Sequence, residues 1–88
     1  MITSIINPSN EIISVTLFPN PFHVSAVLRT NRMSREFKIY NSLGILVRSE
    51  SLNNESTIIN RGSLADGIYF YQLITNDRQM TTGKFVIE

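Results

Sequence analysis

Few residues in this chain could do chemistry, and their types set the first limits. One histidine, His23, and two aspartates, Asp66 and Asp77, accompany Glu11, Glu36, Glu50, Glu55 and Glu88, and there is no cysteine. A Ser–His–Asp triad could be assembled only around His23, and no Gly-x-Ser-x-Gly elbow presents a nucleophile. His23 follows a proline-defined kink and reads as a surface loop residue. A zinc site needs three or four Cys, His or carboxylate ligands, and no Cys/His set exists here. Glycoside hydrolysis needs two carboxyls a few ångströms apart in a cleft. The glutamates are instead expected at strand ends or in loops, as solvated charges. Arg29, Arg32 and Arg35 form the one basic cluster, suited to a phosphate or sugar acid but expected as a solvated loop. Gly44, Gly62, Gly67 and Gly83 are isolated, so no glycine loop cradles phosphate. Asn54-Glu55-Ser56 matches the glycosylation triplet, a pattern that recurs by chance. No catalytic, cofactor-binding or metal-binding residue is assigned, and an enzyme is not expected.

Composition narrows the classes further. A chain of 88 residues suits one domain. At this size folding buries roughly 60–65% of the unfolded surface, so stability has to come from a small core without disulfides. A net charge of +1 argues against broad binding to nucleic acid or anionic membrane. No apolar run approaches the ~20 residues of a membrane helix. The start, Met1 to Pro8, lacks the basic and apolar regions of a secretory signal peptide. Residues 1–11 are expected to be the linker remnant of a longer parent protein, and residues 12–88 the domain.

The elements that must position these residues are strands. Ile13, Val15 and Leu17 alternate with Ser14 and Thr16, the period of a half-buried strand. Pro19 and Pro21 stop it, since proline has no N–H for a ladder, and Asn20 is held extended before Pro21. Val24, Ala26 and Leu28 form the buried side of a second strand, and Phe37 and Ile39 that of a third. Asn41-Ser42-Leu43-Gly44 is a short hairpin with a bulge, Gly44 supplying positive φ. Ile45 to Arg48 returns, Ser51 to Asn54 is a loop, and Thr57 to Ile59 is a short strand. Leu64 plugs one end of the core from a turn-rich stretch. Ile68 to Thr75 is the longest strand, with Tyr69, Tyr71 and Leu73 facing the core and the Tyr69 hydroxyl finding a partner at the rim. Phe70 lies on the other face, partly covered by a loop. Asn76 to Arg78 turns the chain into a final strand, Gln79 to Ile87. About seven short strands with turns every ten residues describe an all-β fold, an Ig-like antiparallel β-sandwich.

Four of these punctuation marks occur in a particular order. They are Pro19-Asn20-Pro21 after a strand, Asn41, Leu43 and Gly44 in the middle hairpin, Leu64, Gly67 and Tyr69, and finally Lys84, Phe85, Val86 and Ile87. Together they resemble the C-terminal sorting domain of the type IX secretion system, type A, the Por secretion family. The resemblance spans about residues 13–88. Many members end on extra basic residues, whereas this chain ends on Glu88.

The resemblance implies a non-catalytic signal that marks its parent protein for export across the outer membrane of Bacteroidota. The destination is the cell surface or the medium. Partners implied are the type IX translocon, an outer-membrane shuttle barrel and, in many members, a sortase that cleaves the linker before Ile12. No cofactor or nucleic acid is implied, and the isolated domain is expected as a monomer or weak dimer. Such a signal suits a sheet edge or the terminal strand, the latter expected to be loosely held. The competing reading is an Ig-like carbohydrate-binding or adhesion module of an extracellular protein, using Phe70. A structural spacer is a third.

Overall fold

The structure, a computed structural model, describes residues 13–31 and 33–88. The linker expected over residues 1–11, and Arg32, lie outside the described residues. Among the described residues seven strands follow in chain order: β1 Val15–Phe18, β2 Ser25–Thr30, β3 Ser34–Tyr40, β4 Leu46–Ser51, β5 Ser56–Asn60, β6 Gly67–Thr75 and β7 Met80–Ile87. They form a three-stranded sheet, β1-β2-β5, and a four-stranded sheet, β4-β3-β6-β7, in which every neighbouring pair is antiparallel. The β2–β5 and β3–β6 pairs are not consecutive, so the chain crosses between sheets as in Greek-key sandwiches. The all-β sandwich expected from the alternation is what forms.

Period-two burial explains why the two sheets close on each other. Ala26, Leu28 and Thr30 point inward from β2, Phe37 and Ile39 from β3, Ile59 from β5, Tyr69, Leu73 and Thr75 from β6, and Phe85 and Ile87 from β7. Ile13, Val15, Leu17, Leu64 and Tyr71 pack partly buried against this cluster. An aromatic column runs through it. Phe22 and Tyr69 each stack on Phe85 at 5.6 Å between ring centroids, and Phe37 tilts against Tyr71 at 5.2 Å. Buried Thr75 satisfies its hydroxyl at the β6–β7 turn, where it receives the Gln79 N–H at 2.9 Å and donates to Asp77.

Three expectations need correction. Val24 is exposed, because β2 starts one residue later, at Ser25, and Val24 precedes the ladder. Glu36 and Glu50 lie within β3 and β4: alternation puts Glu36 on the outer face, whereas Glu50, the register partner of buried Phe37, is half-buried on the inner side of the edge strand. Each finds a partner, Ser49 for Glu36 at 2.7 Å and Arg48 for Glu50 at 3.8 Å. Arg29 and Arg35 lie in strands of different sheets and not in the loop expected for them; Arg29 sits 5.8 Å over the Phe18 ring.

Candidate functional site

The antiparallel registers place the ends of β1, β3 and β5 and the starts of β2 and β6 at one end of the sandwich, together with the end of β7. All four motif stretches therefore sit there. Three of them build a single structure around the end of β7.

The Pro19–Phe22 stretch leaves β1 through cis peptide bonds at Phe18-Pro19 and Asn20-Pro21 and lies beside the last residues of the chain. Asn20 Oδ1 receives the Val86 N–H at 3.0 Å. The Phe22 N–H donates to the Val86 carbonyl and the Glu88 N–H to the Phe22 carbonyl, both at 3.0 Å, a parallel bridge. The Phe22 ring drops into the core against Phe85. His23, exposed as expected, donates from Nδ1 to the Glu88 carbonyl at 2.5 Å.

The Leu64–Tyr69 stretch approaches from the other side. Gly67 opens β6 opposite Ile87, and buried Tyr69 donates its hydroxyl to the Ala65 carbonyl at 2.6 Å, the rim partner expected of it. Half-buried Leu64 covers the core end. The centre of the site is Arg61, which residue-type reasoning missed. Its Nε donates to the Leu64 carbonyl at 2.9 Å, and its Nη1 reaches the His23 carbonyl at 3.1 Å and the Glu88 carbonyl at 3.4 Å. Its Nη2 pairs with Asp66. One guanidinium thus ties three distant segments, its five donors matching a cluster of carbonyls. Arg48 braces it from β4, donating to the Asn60 carbonyl and, at 2.8 Å, to the Arg61 carbonyl. Neither arginine carries a sequence signal, because their partners are mostly backbone oxygens far away in the chain.

Asn41 and Gly44 stand apart from this latch. Asn41 Oδ1 receives the Leu43 and Ile45 N–H groups at 2.9 and 3.0 Å, and Gly44 has φ +83°, so the motif closes its own hairpin. A register shift between Ile39 and Tyr40 is the expected bulge.

Lys84, Phe85, Val86 and Ile87 form the end of β7. Phe85 and Ile87 are buried, while Lys84 and Val86 turn to the outer face. The expectation that little holds this strand down is wrong: Asn20 and Phe22 bind Val86, and Phe22, His23 and Arg61 hold the next residue after the strand, Glu88. Beside it, on the outer face, a shallow hollow of about 410 Å³ is lined by Tyr40, Phe70, Tyr71, Gln72, Thr82, Gly83 and Lys84. Phe70 remains 43% exposed there, its neighbours being strand residues and not a covering loop.

The contacts of the latch run mostly to the chain's own backbone. His23 is engaged with a backbone carbonyl, and among the described residues no group of three or more His, Cys, Asp or Glu side chains could hold a metal ion. Burial raises the Tyr71 hydroxyl above its ordinary pKa of 10.0, keeping it neutral.

In a comparison of folds, the chain is similar to the structure titled "The crystal structure of CopC from Methylosinus trichosporium OB3b". The match has a TM-score of 0.51 and 18% identity and covers 85% of this chain and 94% of that one, a likeness of fold alone. No curated protein matches the chain. Residues 7–88 match the family described as a secretion system C-terminal sorting domain.

Proposed function

The chain belongs to the family of type IX secretion C-terminal sorting domains, and from that premise we propose how this domain acts. The domain marks a protein for export to the cell surface or the extracellular space; that much follows from the family. The finer reading is that the translocon recognises the folded sandwich, at a sheet edge that the converging motifs hold in place, and that an outer-membrane shuttle barrel then takes the cargo. A sortase that removes the domain would cut upstream of residue 12, so the domain is substrate and not enzyme.

The observation that supports this reading most is the latch. Pro19–Phe22, Leu64–Tyr69 and Lys84–Ile87 are far apart in sequence yet meet at the end of β7, joined by Arg61. A signal carried by motifs that matter only when folded together is a conformational signal. The machinery would thereby accept folded domains and reject unfolded chains. Strand addition to a sheet edge is the physical mode such recognition favours, since backbone groups give affinity without demanding one sequence.

The test fuses residues 1–88 to an inert periplasmic reporter in a bacterium with a working type IX system. Export of the reporter supports the sorting reading. Reporter retained in the periplasm, while another family tail exports it, overturns that reading. Phe70, exposed beside the Tyr40 hollow, keeps a carbohydrate-binding module as the alternative. That module predicts no export and a glycan affinity lost in Phe70→Ala.

A further inference from the structure

Among the described residues, the edge of the four-stranded sheet formed by β7 is closed at one end and open along the rest, and backbone parity says where. Val86 directs both its N–H and its carbonyl away from β6, to Asn20 and Phe22. Gln79 directs its carbonyl toward β6, where it accepts from Thr75 at 2.8 Å. In an antiparallel ladder a residue's N–H and C=O point to the same side, and successive residues alternate. The β6–β7 register runs from Met80 to Ile87 without a shift, so Met80, Thr82 and Lys84 turn their backbone groups to the open edge. Their side chains stand on the outer face, because Phe85 and Ile87 occupy the core. Beyond Lys84 the Asn20–Phe22 bridge closes the edge, and before Met80 the turn at 76–79 ends it.

Resting on the sorting reading, we propose that Met80–Lys84 is the surface the export machinery reads, by adding one of its own β-strands to this edge. The complement of a row of outward backbone donors and acceptors is another extended backbone. Lys84 is exposed, at the end of the row Tyr40–Phe70–Lys84, so the added strand carries a carboxylate opposite it. The hollow over Phe70 and Thr82 adjoins that position and offers an apolar contact. A second copy of the chain fits less well. The open stretch is residues 80–84, far short of the roughly 20–30 residues a side of a stable interface. A larger partner supplies the remaining surface.

Three variants of the fused domain test this. Thr82→Pro removes an N–H that points to the open edge and no ladder bond. Lys84→Glu reverses an exposed charge and leaves the fold untouched. Ser49→Pro is the control on the opposite edge of the same sheet: the Leu52 N–H donates to the Arg35 carbonyl, so by the same parity Ser49 faces outward on β4. Thr82→Pro and Lys84→Glu are expected to lower reporter export about tenfold, equivalent to roughly 1.4 kcal/mol of recognition. Ser49→Pro should export like the parent, with cooperative melting in all three. If Thr82→Pro does not melt cooperatively, Lys84→Glu carries the test alone. Parental export by both β7 variants, or an equal loss in Ser49→Pro, overturns the proposal. So does a dimer of the parent that Thr82→Pro renders monomeric in sedimentation, which would give the edge to a second copy. Failure of the parent fusion to export sinks the sorting reading itself, and is seen before any variant is compared.

Discussion

Arg61 shows how one side chain can hold three distant segments of a chain together. Its contacts run to Leu64, His23, Glu88 and Asp66, and it is only partly exposed. Arg61→Gln keeps length and some hydrogen-bonding capacity but loses the fork and the charge. It should destabilise the domain by about 1.5–3 kcal/mol, the scale of hydrogen bonds to charged groups, measured as a lowered urea midpoint with unchanged slope. Tyr71 gives a pH signature of opposite character. Because burial raises its folded pKa above the ordinary 10.0, the folded state retains a proton that the unfolded state releases. Stability is then unaffected below that value and falls as pH climbs past it. Tyr71→Phe should remove this alkaline loss, seen as a flatter profile of melting temperature above pH 10.

At the level of elements, two glycines do different work. Gly44 holds φ +83° in the β3–β4 hairpin, with no heavy atom within 4 Å of where a Cβ would stand. Gly44→Val therefore costs backbone strain alone, about 1–3 kcal/mol; a thermal melt matching the parent would refute the turn assignment. Gly83 has an ordinary backbone, but a Cβ there would collide with the Tyr71 ring and hydroxyl. Gly83→Ala should cost about 1–3 kcal/mol as overpacking, and markedly less in a Tyr71→Leu background. A double-mutant cycle measures that coupling. The contrast matters for the proposed edge, since Gly83 seats Tyr71 beside the strand that would be read.

The whole molecule determines what deletion of the terminal strand can mean. Lys84–Glu88 includes Phe85 and Ile87, which are 0% and 1% exposed and central to the core. Removing two such side chains costs about 3–5 and 2–5 kcal/mol by analogy with truncation to alanine. That approaches or exceeds the ~5–15 kcal/mol holding a small domain together. The domain lacking residues 84–88 should show no cooperative melt by circular dichroism. A cooperative transition near that of the parent would contradict this packing. Loss of export after such a deletion therefore reports unfolding, and point variants on the open edge are the informative ones.

Alternation and turn chemistry in the sequence determined the strands, most of their inward faces, the Gly44 hairpin and the placement of Tyr69, because these depend on neighbours a few residues away. The order of the four motifs determined the family. Tertiary structure alone decided what those motifs do together. The bond from Val86 to Asn20 spans 66 residues and that from Glu88 to Arg61 spans 27, and no local pattern encodes a pairing at such separations. It also decided that Arg61 is the centre of the latch, since its acceptors are carbonyls that every residue possesses. Likewise the closing of β7 beyond Lys84 and its openness before it depend on which chain lies alongside. A period-two pattern fixes which side a residue faces; it does not say whether anything is there.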